Sequence, residues 1–245
     1  MPVHGAGRSL APTPFGADDG AADPALTAAL ALVGAAPGGA AGSRAAAVAD
    51  LVAVLASCRV LVPVVAVAGE TETTDAGLTV DKTSDMAVVT LTARDGRRTL
   101  PVFSGVEQLA AWDPAARPVP VDARTAALAA VDEGCELLVV DLATAAVVVP
   151  RPALWALAQG RPWTPSPDHP RVADALQAAV RGEPAVAGVR GEPGRRAELA
   201  VVLTVRPGLD RAALDALTAR VSGALAADDA VAELVDSVEL RIVPA

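Results

Sequence analysis

Few residues of this 245-residue chain have types suited to covalent or metal chemistry. Histidine occurs only at His4 and His169 and cysteine only at Cys58 and Cys135. Carboxylates gather at Glu70, Glu72 and Asp75, at Asp81 with Asp85, and at Asp228-Asp229. A hydrolytic triad needs a histidine within hydrogen-bond reach of its nucleophile. His4 lies in a Pro- and Gly-rich tail and His169 between Asp168 and Pro170, so both read as solvated. Neither cysteine has a histidine in its own element, and a free cysteine is most often a small buried hydrophobe. Their isolated spacing builds neither a disulfide framework nor a zinc site and points to a reducing compartment. Acid–base work or cation binding requires carboxylates that converge on a rigid frame. The first two clusters fall in an acidic, threonine-rich loop, Gly69 to Asp85, and the third at a helix end, so all three read as solvated charge. The run Gly38-Gly39-Ala40-Ala41-Gly42-Ser43 lacks the lysine of a phosphate loop and follows a helix where that motif follows a strand. No catalytic residue, cofactor or metal is expected.

Binding chemistry is better represented. Ser104-Gly105-Val106-Glu107 reads as a capping box that commits the Ser104 hydroxyl to the helix it opens. Its functional variant is an anion held at that helix N-terminus, with Arg94, Arg97, Arg98 and Arg117 adding positive charge. Trp112 and Arg117 stand at the edges of elements and are residue types that dominate interface hot spots. The blander alternative places Trp112 in the core, with Arg117 stacked over it or paired with Asp113. Trp155, beside Leu154 and Leu157, reads as core.

Composition narrows the options. The chain is alanine-rich, with 52% apolar but only 2% aromatic residues, so its core is built from Leu, Val and little else. A net charge of −9 argues against nucleic-acid and anionic-membrane partners, which require a positive field. Val48 to Ala68 has the length of a membrane span. It contains Asp50, Arg59 and Pro63, and each charge at mid-bilayer costs about 2.5–3.5 kcal/mol. The first twenty residues have no secretory pattern. A soluble, cytoplasmic protein is expected.

The elements that must position these residues follow from periodicity. The segment 1–22 is expected to be disordered. Asp23-Pro24 caps a helix carrying Leu26, Leu30 and Val33, and Ser43 caps a second with Val48, Leu51, Val52 and Leu55. Val60 to Val67 reads as a strand. Asp95-Gly96 joins Met86–Ala93 and Arg98–Phe103 as a hairpin. A helix ends near Trp112, a strand runs through Val119 and Val121, and Asp122 caps a helix carrying Leu128 and Val131. Strands at Glu136–Leu142 and Val147–Val149 and a helix at Pro152–Gln159 follow. Residues 161–170 contain Pro162, Pro165, Pro167 and Pro170 and read as a semi-rigid linker. Beyond them come a helix with Val172, Leu176 and Val180, two strands about a turn at Glu192-Pro193-Gly194, a long helix from Asp210, and a last strand at Val238–Val243. The expected class is α/β (α+β). A mixed-sheet N-terminal domain, 23–160, is followed by a small α-β-β-α-β C-terminal unit, 171–245.

The middle of the chain, "LPVFSGVEQLAAWDPAARPVPV" with "GCELLVVDL" and "PRPALWALAQG" beyond it, resembles the SseB family, in particular the SseB proteins of high-GC Gram-positive bacteria. The likeness covers Val60 to Gly160 and continues more weakly through "SVELRIVPA". Its recurrent pattern falls on Phe103, Ser104, Trp112, Arg117, Pro118 and Trp155. The family is associated with altered serine sensitivity when overexpressed and carries no established reaction. The resulting expectation is a non-catalytic interaction or regulatory module that binds a protein partner through Phe103, Ser104, Trp112, Arg117 and Pro118. A sensor of an amino acid or anionic metabolite is the alternative, and a cryptic enzyme the third reading. The sequence does not give the oligomeric state.

Overall fold

A computed structural model describes residues 15–36, 41–67, 72–73, 79–80 and 85–245. The chain is α+β. Helices α1 (Pro24–Ala35) and α2 (Ala41–Leu55) come first. Asp23 caps α1 as expected, accepting from the amides of Ala25 at 2.7 Å and Leu26 at 3.3 Å. The helix α2 begins at Ala41, so Ser43 lies inside it rather than capping it.

Strand β1 (Arg59–Val67) is central. Short strands β2 (Glu72–Thr73) and β3 (Thr79–Val80) pair with each other; of the loop expected over Gly69 to Asp85, Asp85 falls in the next strand and the rest, like Gly38-Gly39-Ala40, lies outside the described residues. The expected hairpin strand Met86–Ala93 is divided between two sheets. Strand β4 (Asp85–Val88) pairs antiparallel with β1, while β5 (Leu91–Thr92) forms the hairpin with β6 (Arg98–Val102) around Asp95-Gly96. Gly96 has φ +88° there, the left-handed backbone that the turn requires. The chain continues through α3 (Val106–Trp112), β7 (Arg117–Asp122), α4 (Ala123–Asp132), β8 (Leu137–Val140), β9 (Val147–Val149) and α5 (Arg151–Ala158).

Two sheets result, ordered β4-β1-β7 and β5-β6-β8-β9, with β6 and β8 parallel. They are stitched where Leu61 and Phe103 exchange backbone hydrogen bonds of 2.8 and 2.9 Å. Helices α1, α2, α4 and α5 share one apolar core with Val60, Val62, Leu100, Val102, Leu138 and Val140. In α4 the buried face is Ala123, Ala126, Ala127 and Ala130, while Leu128, expected inside, is 44% exposed. Alanine lets α4 approach the sheet closely, and a leucine on that face would not fit.

Residues 161–170 are not featureless. Trp163 packs against the core of the preceding unit, and Ser166–Asp168 forms a 3-10 turn. Beyond it lie α6 (Pro170–Ala179), β10 (Val186–Pro193), β11 (Leu199–Val205), α7 (Arg211–Ala226), α8 (Asp229–Leu234) and β12 (Val238–Pro244). Glu192 and Pro193 belong to β10, so the turn sits at 194–198 rather than at Glu192-Pro193-Gly194; it is closed by the Gly194 amide on the Glu198 carbonyl at 3.0 Å. The sheet order is β10-β11-β12, with β11 and β12 parallel. Helices α6, α7 and α8 cover one face and bury Leu199, Val201 and Leu203. The short helix α8 is absent from the pattern expected of this unit. Asp228 caps it, accepting from the amides of Ala230 and Val231, which gives one carboxylate of that cluster a structural role.

Residues 15–22, expected to be disordered, take a defined course across the front of the first unit; residues 1–14 lie outside the described residues.

Candidate interaction surface

The parallel strands β6 and β8 end side by side, with Val102 level with Val140, so that Ser104 and Asp141 follow just beyond the paired ends. The Ser104 amide donates to one Asp141 carboxylate oxygen and its hydroxyl to the other, each at 2.8 Å. Both side chains are buried. Asp141 has φ +53°, and its carbonyl accepts from the amides of Thr144 and Ala146 at 2.9 and 2.8 Å, a tight turn into β9. The expected capping box is therefore corrected. Gly105 is the N-cap of α3 and no side chain caps it. Asp141 captures the hydroxyl because a buried carboxylate without donors is costlier than a helix amide that another group can satisfy. Burial pushes the Asp141 carboxyl above the ordinary carboxylate range, and the two bonds from Ser104 draw it partly back.

That other group is Gly20, whose carbonyl accepts from the Val106 amide at 2.9 Å. Residues 18–22 form a strap, which Arg59 anchors. Its guanidinium donates to Asp18 at 2.5 and 2.7 Å, to the Ala21 carbonyl at 2.8 Å and to the Ser104 carbonyl at 2.8 Å. The same pairing holds the Asp18 carboxyl below its usual range. A Cβ on Gly105 would stand 2.9 Å from the Ala22 nitrogen, so the strap requires glycine there. The Gly20 carbonyl thus takes the Val106 amide at the helix start where the functional variant placed an anion. Nor do the nearby arginines gather there. Arg97 binds Asp95 and Asp236, and Arg98 faces Glu133 and Thr90.

Phe103 is fully buried in a small second cluster with Leu61 and Leu109. Trp112 stacks on it with ring centroids 5.4 Å apart and stays half-buried. Asp113 is occupied by the Ala115 amide at 2.8 Å and is not the partner expected for Arg117. Arg117 and Pro118 are exposed at the start of β7. Of the five residues predicted to form one surface, Phe103 and Ser104 are buried, Trp112 is half-buried, and Arg117 and Pro118 are exposed.

β7 is an edge strand with Pro118 and Pro120 opposite Pro63 and Leu61. The Ala123 amide bonds the Cys58 carbonyl, so the alternation of an antiparallel ladder turns positions 118 and 120 away from β1. These prolines remove donors only from the open side, where strand edges otherwise recruit other chains.

A family model described as the SseB protein N-terminal domain matches residues 26–156, more than half of the chain. The chain belongs to the SseB family. The SseB match runs from α1 into α5 and contains the Ser104–Asp141 junction, Trp112, Arg117 and Pro118. Comparisons with curated proteins and with solved structures give no match.

Two further features lie near or beyond the end of the SseB match, and the two cysteines lie within it. Trp155, expected in the core, is 45% exposed. The helix α5 buries Ala153, Leu154, Leu157 and Ala158, and Trp155 falls on the opposite side of that short helix. It shares a groove of about 390 Å³ with His169 and Arg171, and His169 is half-buried rather than solvated. Cys58 and Cys135 are buried, as expected, and burial raises both thiols.

Sequence reading missed a junction between the two units. Asp236 accepts from Arg97 at 2.9 and 3.0 Å and from the Arg151 amide at 3.3 Å. The Arg151 guanidinium donates to the carbonyls of Ala232 and Val235 at 2.7 and 2.8 Å. Glu198 accepts from the amides of Asp236 at 2.7 Å and Ser166 at 3.3 Å, while its burial raises the carboxyl. Beside this junction is a cleft of about 440 Å³ lined by Arg44, Arg195 and Arg196, with Trp163, Glu198 and Asp236. Among the described residues, no helix is long and apolar enough to cross a membrane.

Proposed function

We propose that the chain is a non-catalytic binding module of the SseB family that engages a protein partner through the turn between Trp112 and Pro118. The observation that carries this reading is the contrast within five residues of chain. Trp112 is seated on the buried Phe103 ring, while Arg117 projects from the adjoining edge strand into solvent. A stacked aromatic followed closely in the chain by an exposed guanidinium brings together the residue types that concentrate binding energy at protein interfaces. Against a catalytic role, the Ser104 hydroxyl is 2% exposed and donates to Asp141. A nucleophile needs access to substrate and a base that can accept its proton. The test is capture from native extract with wild type beside a folded Arg117→Glu variant. A partner held by the first and lost by the second supports the reading. Equal capture, or capture of nothing, contradicts it.

One observation favours the second reading, a small-molecule sensor. The cleft between the units combines Arg44, Arg195 and Arg196 with the carboxylates of Glu198 and Asp236. That charge arrangement suits an anionic or zwitterionic metabolite. Such a ligand would raise the melting temperature by linkage, and an Arg195→Ala/Arg196→Ala variant would lose the increase.

A further inference from the structure

The strand β12 ends its sheet with nothing paired on its outer side among the described residues. The other long edges are closed. Pro118 and Pro120 blunt β7. The β10–β11 ladder carries a register shift between Val186 and Gly188, and on the outer side of β10 Gln177 of α6 donates to the Val189 carbonyl at 3.2 Å. β12 has none of these defences before Pro244. It exposes Val238 by 41% and Ile242 by 39%.

The backbone of β12 fixes which groups are free. The Leu199 amide bonds the Ser237 carbonyl and the Ala245 amide bonds the Val205 carbonyl, each at 3.0 Å. In a parallel ladder this turns the odd-numbered residues toward β11 and leaves the N–H and C=O of Val238, Leu240 and Ile242 pointing outward. An antiparallel partner strand must therefore pair even positions with even positions.

We infer that β12 pairs antiparallel with β12 of a second copy of this chain, about a two-fold axis at Leu240, to form a continuous six-stranded sheet. In this register Val238 bonds Ile242 of the partner subunit, and Leu240 meets its own symmetry mate. Glu239 then stands opposite Arg241 of the partner subunit, in the non-hydrogen-bonded position where cross-strand side chains come closest. Charge selects the register. Sliding by one allowed step in one direction puts Glu239 against Glu239 of the partner subunit. Sliding in the other puts Arg241 against Arg241 of the partner subunit. Both place like charges directly opposite. The arrangement is isologous and closed, so it stops at a dimer. Within each chain Glu239 accepts from the Arg195 and Arg196 amides and Arg241 donates to Glu192, so the cross-strand contact adds to partners that both charges already have.

Two variants read the edge and the register separately. Ile242→Pro removes an outward amide that the single chain does not use, at a position where an edge strand tolerates proline. Sedimentation velocity of wild type should give a dimer of twice the 24.4 kDa chain. Ile242→Pro should give a monomer with the same circular dichroism spectrum. For the register, Val238→Cys and Ile242→Cys chains are mixed and oxidised. Opposed bonded residues lie about 5.5 Å apart at Cα, within the range for a disulfide. The mixture should cross-link and neither variant alone should do so, since Cys58 and Cys135 are buried. A wild-type monomer at every concentration, a dimer that survives Ile242→Pro, or self-linking of one single-cysteine chain equal to the mixture would each overturn the inference.

Discussion

Ser104 spends both its amide and its hydroxyl on one carboxylate, that of Asp141, at 2.8 Å each. Asp141 meanwhile takes a left-handed backbone conformation at φ +53°. The junction closes the C-terminal ends of β6 and β8, the place where open parallel sheets usually receive ligands. Here the chain fills that place with its own carboxylate.

This makes a signed prediction for pH. Folding raises the Asp141 pKa, so the native state holds that proton more tightly than the unfolded chain. Its contribution is therefore fully present below the ordinary carboxylate range and declines as pH rises through the raised native value. Asp141→Asn should remove that decline. Asparagine can accept from the Ser104 amide, donate to its hydroxyl, and tolerate positive φ. Urea denaturation at acid and neutral pH should show the variant gaining on wild type as pH rises. Asp141→Ala, which orphans the Ser104 amide, should cost about 1–3 kcal/mol at neutral pH.

Arg59 should not be replaceable by lysine. One ammonium cannot reach Asp18 in two places and the carbonyls of Ala21 and Ser104 as well. Arg59→Lys should cost roughly 1–3 kcal/mol. Limited proteolysis should then cut within residues 15–22 faster than in the wild type.

The junction at Asp236 should couple the two units. Asp236→Ala leaves the Arg97 guanidinium and the Arg151 amide short of their acceptor and should cost about 1–3 kcal/mol. Calorimetry should show the wild-type endotherm broaden or divide as the units begin to melt separately. A single sharp transition at an unchanged temperature would count against the coupling.

The legible parts of the fold were those written in short range. Asp23 and Asp122 cap their helices through the local amides that their spacing implies, and β1, β8 and β9 follow from unbroken apolar runs. The site was less legible because its contacts are long-range. Ser104 was read as a cap from residues three apart, whereas its partner lies 37 positions on. Arg97 meets Asp236 across 139 positions, with no periodic signal to announce it. Alanine misled in a different way. Treating it as a weak core former moved Leu128 inward and overlooked the Ala123, Ala126, Ala127 and Ala130 face.

That last error gives a direct comparison. Ala127→Leu overfills a fully buried position and should cost about 1–3 kcal/mol. Leu128→Ala, on the exposed face, should change stability by less than about 1 kcal/mol. Chemical denaturation of the pair would separate a core built on alanine from one built on leucine.

Arg117→Glu probes the Trp112–Pro118 turn as a binding surface because that side chain is exposed and can be changed without opening the core. The measurement is affinity capture from native extract by wild type and Arg117→Glu, each first shown to melt at the same temperature. Trp112→Ala, run alongside, should lower that temperature because it removes the ring stacked on Phe103. The expected result is a specific partner on wild type that is absent from the equally stable Arg117→Glu protein. A partner retained by Arg117→Glu, or no partner on wild type, would contradict it.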